Sequence, residues 1–295
     1  MILPSINSLP NLCLDQKPTP ENATLLQAYE WNVPADNAHW KRLTSALPGL
    51  RRVGVTAMWL PPGCKAASPE GNGYDIYDLY DLGEFDQKGT RATKWGPKED
   101  LLELSKLAKD QGVALYWDAV LNHKAGADNT EKCRVVEVDE NDRTKECSEA
   151  YEIEGWLGFD FPGRGEKYSK QKYHWEHFSG TDYNQANEKK AIYKILGDNK
   201  GWSASVGDEQ GNADYMMFAD VSFPQPQVRA TRCVEIASHT NIACQGSSSQ
   251  VRRILYPKWD YPFQVRSKCC RSITRTPRFR PTSRTGASGS RKKLA

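Results

Sequence analysis

"KEDLLELSKLAKDQGVALYWDAVLNHKAGAD", residues 98 to 128, decides how the chain is read. Its first part predicts a helix, with acids in the first turn and Gly112 at the C-cap position, where only glycine turns left-handed without strain. "VALYWDAVL" follows at once as a short, continuous apolar strand, the kind buried on both faces of a parallel sheet. The strand then ends on Asp118, Asn122 and His123. In a (β/α) architecture the C-terminal ends of the strands are where ligands meet the protein, so polar side chains there point to chemistry more than to packing.

Working outward, the same alternation recurs upstream. "ATLLQAYEW" (23–31) and "VTAMWLPP" (55–62) predict two further strands, the second stopped by its prolines. Between them "AHWKRLTSALPGLRR" places Trp40, Leu43, Leu47 and Leu50 near helical spacing, and Pro48 predicts that this helix bends or stops early. Strand, helix, strand, helix, strand implies parallel pairing with right-handed crossovers, as a (β/α)8 TIM barrel begins.

Two stretches break the pattern. In "NGYDIYDLYDLGEFD" (72–86), Tyr74, Tyr77 and Tyr80 are interleaved with carboxylates. Aromatic faces beside acids suit sugar rings, whose C–H faces stack on aromatics while their hydroxyls need acceptors. Residues 126 to 218 carry few helix-period segments and many Trp, Tyr and Gly, which predicts an irregular, β-rich domain inserted after strand three.

Composition narrows the class. Over 295 residues the mean hydropathy is -0.71, 26% of residues are charged, and no run is apolar enough for a membrane span. The N-terminal "MILPSINSLPNLCLDQKPTP" has neither a basic n-region nor a long apolar core, so a cytoplasmic address is expected. Eight cysteines without CxxC pairs then predict reduced thiols and no zinc knuckle. The net charge of +3 hides a split: from Val228 to Ala295, 11 Arg and 4 Lys face only Glu235 and Asp260, a balance of +13, leaving -10 for residues 1–227. The tail from residue 266 to 295 holds a single aromatic, Phe279, so a basic tail that binds nucleic acid or an acidic partner is the lesser alternative.

In order along the chain stand "LLQAYEW", "WLPP", "GYDIYDLYDLGEFDQKGT", "DAVLNHKAGAD", "FPGRGEKYS", "WEHFSGTDYN" and "GNADYMMFAD". Together they closely resemble α-amylases of the glycoside hydrolase clan, of the liquefying bacterial type and its intracellular fungal relatives, from about residue 22 to 221. The resemblance implies a monomer acting on α-glucans (starch, glycogen, maltooligosaccharides) by retaining hydrolysis of α-1,4 bonds. It implies that Tyr74 stacks on the sugar beside the scissile bond, that Asp118 and His123 line that subsite, and that Trp31 lines the cleft. It further implies a Ca2+ held by Asn122, Asp182, Asp214 and Asp220, a hard-cation set of carboxylates and an amide oxygen.

The departures are as informative. Ser203, Ser222 and Pro224 stand where the family has acids, so a second cation site is not expected. The resemblance implies a nucleophilic Asp after strand four, a general-acid Glu after strand five and a further Asp after strand seven, the first two being the facing carboxyl groups a retaining mechanism needs. Where the family's strand-four motif falls, the chain reads "HTNIACQGSSSQVRRILYPKW", and none of the catalytic carboxylates can be assigned. A change of frame or splicing between residues 222 and 245 is the expected cause. The reading is therefore an α/β chain: an N-terminal extension (1–21), the first part of an incomplete barrel (22–125), the calcium-region insertion (126–218), and an anomalous basic segment (219–295) expected to be disordered.

Overall fold

The computed structural model describes residues 23–198, 200–202 and 216–228. Three parallel strands, β1 (Leu25–Gln27), β2 (Ala57–Leu60) and β5 (Ala114–Trp117), form one sheet in the order β1-β2-β5. Helices α1 (His39–Arg52) and α2 (Lys98–Asp110) make the two crossovers. Both helices turn an apolar stripe inward: Trp40, Leu43 and Leu47 from α1, Leu101, Leu104 and Ala108 from α2, all buried with Met58 and Leu60 of β2. Glu99 and Asp100 sit in the first turn of α2, where the helix dipole favours them, and Gly112 takes a φ of +66° just past its end.

Pro48 does not stop α1, which continues to Arg52. The residue falls within the last turn and a half, and burial of Leu47 and Gly49 on either side holds that turn in place.

A second sheet of six strands has the order β6-β11-β9-β10-β7-β8, with every pair antiparallel. It contains β6 (His123–Lys124), β7 (Asn129–Val138), β8 (Tyr151–Gly158), β9 (Phe178–Asn184), β10 (Lys189–Ile195) and β11 (Ala219–Val221). Its core packs Val135, Leu157, Phe159, Phe178, Tyr193 and Ile195. The sheet draws its first strand from residues before 126 and its last from residues after 218, so the polar exit of β5 runs directly into it.

Residues 72–86 differ from their sequence reading. A short hairpin of β3 (Lys65–Ala66) and β4 (Ile76–Asp78) carries them inward, and Tyr77, Asp78, Tyr80 and Asp81 are all buried. Asp78 pairs with Arg164 at 2.6 Å and Asp81 with Lys65 at 3.4 Å, while the Gln87 amide donates to both carboxylates at 3.1 and 2.9 Å. Tyr77 donates to Asp128 at 2.9 Å. These acids and tyrosines are scaffold; of the three tyrosines, only Tyr74 reaches the cleft described next.

Candidate functional site: an aromatic cleft around Asp118

Strand register builds the site. Gln27, Trp59 and Tyr116 lie in one row across β1, β2 and β5. Because side chains alternate with a period of two, Tyr29 and Asp118, each two residues further on, continue the same face. Met58 and Leu60 point the other way, toward the helices. The hydrogen bonds agree with this placement. Asp118 Oδ2 accepts from the Tyr74 hydroxyl at 2.8 Å and from Trp59 Nε1 at 3.2 Å, while the Tyr29 hydroxyl lies 3.2 Å from Oδ2 and 2.7 Å from the Tyr74 hydroxyl.

Tyr74 comes from the loop between β3 and β4, and Trp31 from the loop after β1. Their rings stack with centroids 5.9 Å apart and planes 10° from parallel. Trp31 is 65% exposed, an unusual position for a tryptophan with no structural task. Its backbone carbonyl is held by Asn72 Nδ2 at 3.2 Å and Lys94 Nζ at 3.3 Å. The indole is thus presented to solvent from a fixed anchor. His123 Nε2 donates to the Tyr74 carbonyl at 2.6 Å, which ties the start of β6 to the back of the cleft.

Burial pushes the Asp118 carboxyl above its ordinary range, and the bonds from Tyr74, Tyr29 and Trp59 pull it back down. Burial likewise raises the Tyr74 hydroxyl, which stays a neutral donor. The result is a half-buried carboxylate ringed by aromatic faces, a combination that accepts hydroxyl hydrogen bonds beside an apolar stacking surface.

Of the residues singled out in the sequence, the structure brings Trp31, Tyr74, Asp118 and His123 together. Tyr29 and Trp59 were missed. Their signal was the two-residue spacing between Gln27 and Tyr29 and between Tyr116 and Asp118, which becomes informative only once the register is known.

The expected metal ligands are less complete. Asn122 is exposed, and its backbone carbonyl accepts from Val221 N at 2.8 Å. Asp182 accepts from Phe218 N at 2.9 Å, and Asp220, paired across the sheet with both His123 and Gly180, accepts from the Ser179 hydroxyl. Asp214 lies outside the described residues. Ser222 is buried with its hydroxyl unpaired among the described residues. Among those residues no three His, Cys, Asp or Glu side chains converge on one point. Two carboxylates already engaged by protein donors, with one exposed amide, fall short of the six to eight oxygens a Ca2+ shell takes, so the described residues alone do not fit the ion.

Comparison with known proteins bears on the same residues. The profile described as "Alpha amylase, catalytic domain" matches residues 30–225. The glucan 1,4-alpha-maltohexaosidase of Bacillus sp. (strain 707) is 45% identical over 208 residues, covering 70% of this chain and 40% of that protein. The alpha-amylase of Bacillus licheniformis is 46% identical over 209 residues, covering 71% and 40%. The cytoplasmic alpha-amylase of Escherichia coli (strain K12) is 42% identical over 205 residues, covering 68% and 41%. The chain spans about two fifths of the length of these curated relatives. With the profile matching well over half of the sequence, from the strand β1 exit through β11, the chain belongs to the α-amylase catalytic-domain family.

Proposed function

We propose that the chain carries the glucan-facing first part of an α-amylase-type (β/α)8 barrel, the family's reaction being retaining endo-hydrolysis of α-1,4-glucosidic bonds in starch or glycogen. The single observation that supports this reading is the network of Tyr29, Tyr74, Trp59 and Asp118 beside the exposed, anchored Trp31. Tyr74 and Trp31 offer ring faces to a glucose unit, Asp118 accepts a sugar hydroxyl, and His123 fixes the loop that carries Tyr74. None of these groups is a nucleophile or general acid for the bond, and beyond Asp220 the sequence supplies only Glu235 and Asp260. The 295 residues alone therefore bind glucan without cleaving it. A reducing, cytoplasmic setting belongs to the same reading.

Titration with maltoheptaose tests it, followed by tryptophan fluorescence through the solvent-facing Trp31. We expect saturable binding that Asp118→Asn weakens by ~1.5–3 kcal/mol, the range of a charge-assisted hydrogen bond. Tyr74→Ala is expected to cost at least ~0.5–1.5 kcal/mol of ring contact. Binding unchanged by both substitutions would move the site elsewhere.

Calcium belongs to the proposal as a weak ligand. Asp182, Asp214 and Asp220 bring three charges and Asn122 one amide oxygen, whereas Ser222 brings a neutral hydroxyl. Affinity in oxygen sites weakens as ligand charge and rigidity decrease, so we expect a Kd of about 10⁻⁴ to 10⁻³ M. Following near-ultraviolet dichroism during a Ca2+ titration checks this. Submicromolar binding, or binding indifferent to Asp214→Ala, would contradict the ligand set.

A further inference from the structure

All three groups that approach the Asp118 carboxylate meet it at Oδ2, and among the described residues no hydrogen bond reaches Oδ1. The groups facing the carboxylate are Tyr29 from the exit of β1, Trp59 from β2 and Tyr74 from the loop before β4. Trp59 Nε1 can only donate, and each tyrosine hydroxyl has a single proton. At 2.8 Å the Tyr74 hydroxyl donates to Asp118, so it must accept the contact at 2.7 Å from Tyr29, whose own reach to Asp118 is the longer 3.2 Å. The shorter Tyr74 contact favours the proton order Tyr29 to Tyr74 to Asp118.

We infer that Tyr29 is a positioning residue of the cleft: it locks the Tyr74 hydroxyl into this relay, so that a bound glucan meets Tyr74 as a ring face only and Asp118 through Oδ1 only. Were Tyr29 absent, the Tyr74 hydroxyl would regain a free lone pair and a second rotamer, and its ring would lose a tether. The fold depends little on this contact, because Tyr29 also packs edge-on against Trp59 at 5.6 Å and Trp95 at 6.0 Å, and a phenylalanine keeps those contacts. The assignment of a sugar as the ligand rests on the glucan reading above, whereas the Tyr29 relay does not.

Tyr29→Phe in the full chain separates the two. Carbon-13 resonances of the Asp118 carboxyl, followed against pH without ligand, are expected to show a higher titration midpoint in the variant, since the donor chain that stabilises the carboxylate is shortened. Maltoheptaose affinity near neutral pH is expected to fall about two- to tenfold, the size of one net hydrogen bond, and binding should be lost at a higher pH on the acid side. Tyr168→Phe, at an exposed hydroxyl bonded to Glu84, is expected to change neither readout. An unchanged Asp118 midpoint in Tyr29→Phe overturns the inference. A shifted midpoint with no maltoheptaose bound by any form upholds the relay and overturns the glucan reading. One measurement needs no variant: in the wild-type chain the Tyr29 hydroxyl proton should exchange slowly, and fast exchange with bulk water would also overturn the relay.

Discussion

Arg164→Ala is expected to destabilise the fold by about 3–5 kcal/mol, the cost of leaving one half of a buried ion pair behind. Arg164 Nε meets Asp78 Oδ2 at 2.6 Å, with both side chains 1% exposed. The rest of the guanidinium donates to the carbonyls of Gly165, Lys167 and Ser169 at 3.2, 2.9 and 2.8 Å, and it packs 4.8 Å from the Phe161 ring. Removing it strands three carbonyls and leaves Asp78 with the Gln87 amide and the Tyr80 backbone N–H, both at 3.1 Å. Burial already pushes the Asp78 carboxyl up, and Arg164 is the main influence holding it down. Without Arg164 the folded state binds a proton on Asp78 more tightly than the unfolded state does. Its deficit relative to wild type therefore grows as pH rises above the ordinary carboxylate range and shrinks in acid. Urea midpoints near neutral pH and in mild acid check both statements. Adding Asp78→Asn should restore part of the loss. A deficit below about 1 kcal/mol, the size of an exposed pair, would show that the site is hydrated.

That ion pair also shows where the sequence was legible and where it was not. The crossover from α2 into β5 could be read directly, because acids in the first turn, a glycine at 112 and an unbroken apolar run are local signals. The polar exit at Asp118 and His123 could be read for the same reason. The acids of residues 72–86 could not. Asp78 and Asp81 read as acceptors for sugar hydroxyls, since their partners Arg164 and Lys65 lie 86 and 16 residues away and pair with them only when the hairpin folds inward. Tyr29 and Trp59 were hidden for a related reason: an aromatic in an apolar strand is ordinarily core, and only the parallel register turns both toward Asp118. Pro48 misled in the opposite direction, through a local rule that burial of the helix end overrides. The boundaries expected at 125 and 218 follow composition, whereas the sheet joins β6 to β11 across both.

The 295-residue chain is expected to release no reducing sugar from soluble starch above the blank. Retaining hydrolysis needs two carboxyl groups about 5–5.5 Å apart on opposite sides of the bond, one attacking the anomeric carbon and one protonating the leaving oxygen. Asp118 is expected to fill neither role, because the groups that act on it among the described residues are Tyr74, Tyr29 and Trp59, with no second carboxyl group to share the two tasks. The carboxylates of β9 and β11, Asp182 and Asp220, accept from Phe218 N and Ser179. Glu235 and Asp260 stand in no motif of the family. Removing a nucleophile that acts together with its proton-transfer partner lowers kcat by about 10⁶ in a well-studied hydrolase, and losing both groups leaves only the binding effects of the cleft. The direct measurement is reducing-sugar release by the purified 295-residue chain, assayed beside its maltoheptaose binding in the same buffer. Binding without release is the predicted result; release that tracks the protein through purification and survives Asp118→Asn would contradict the account.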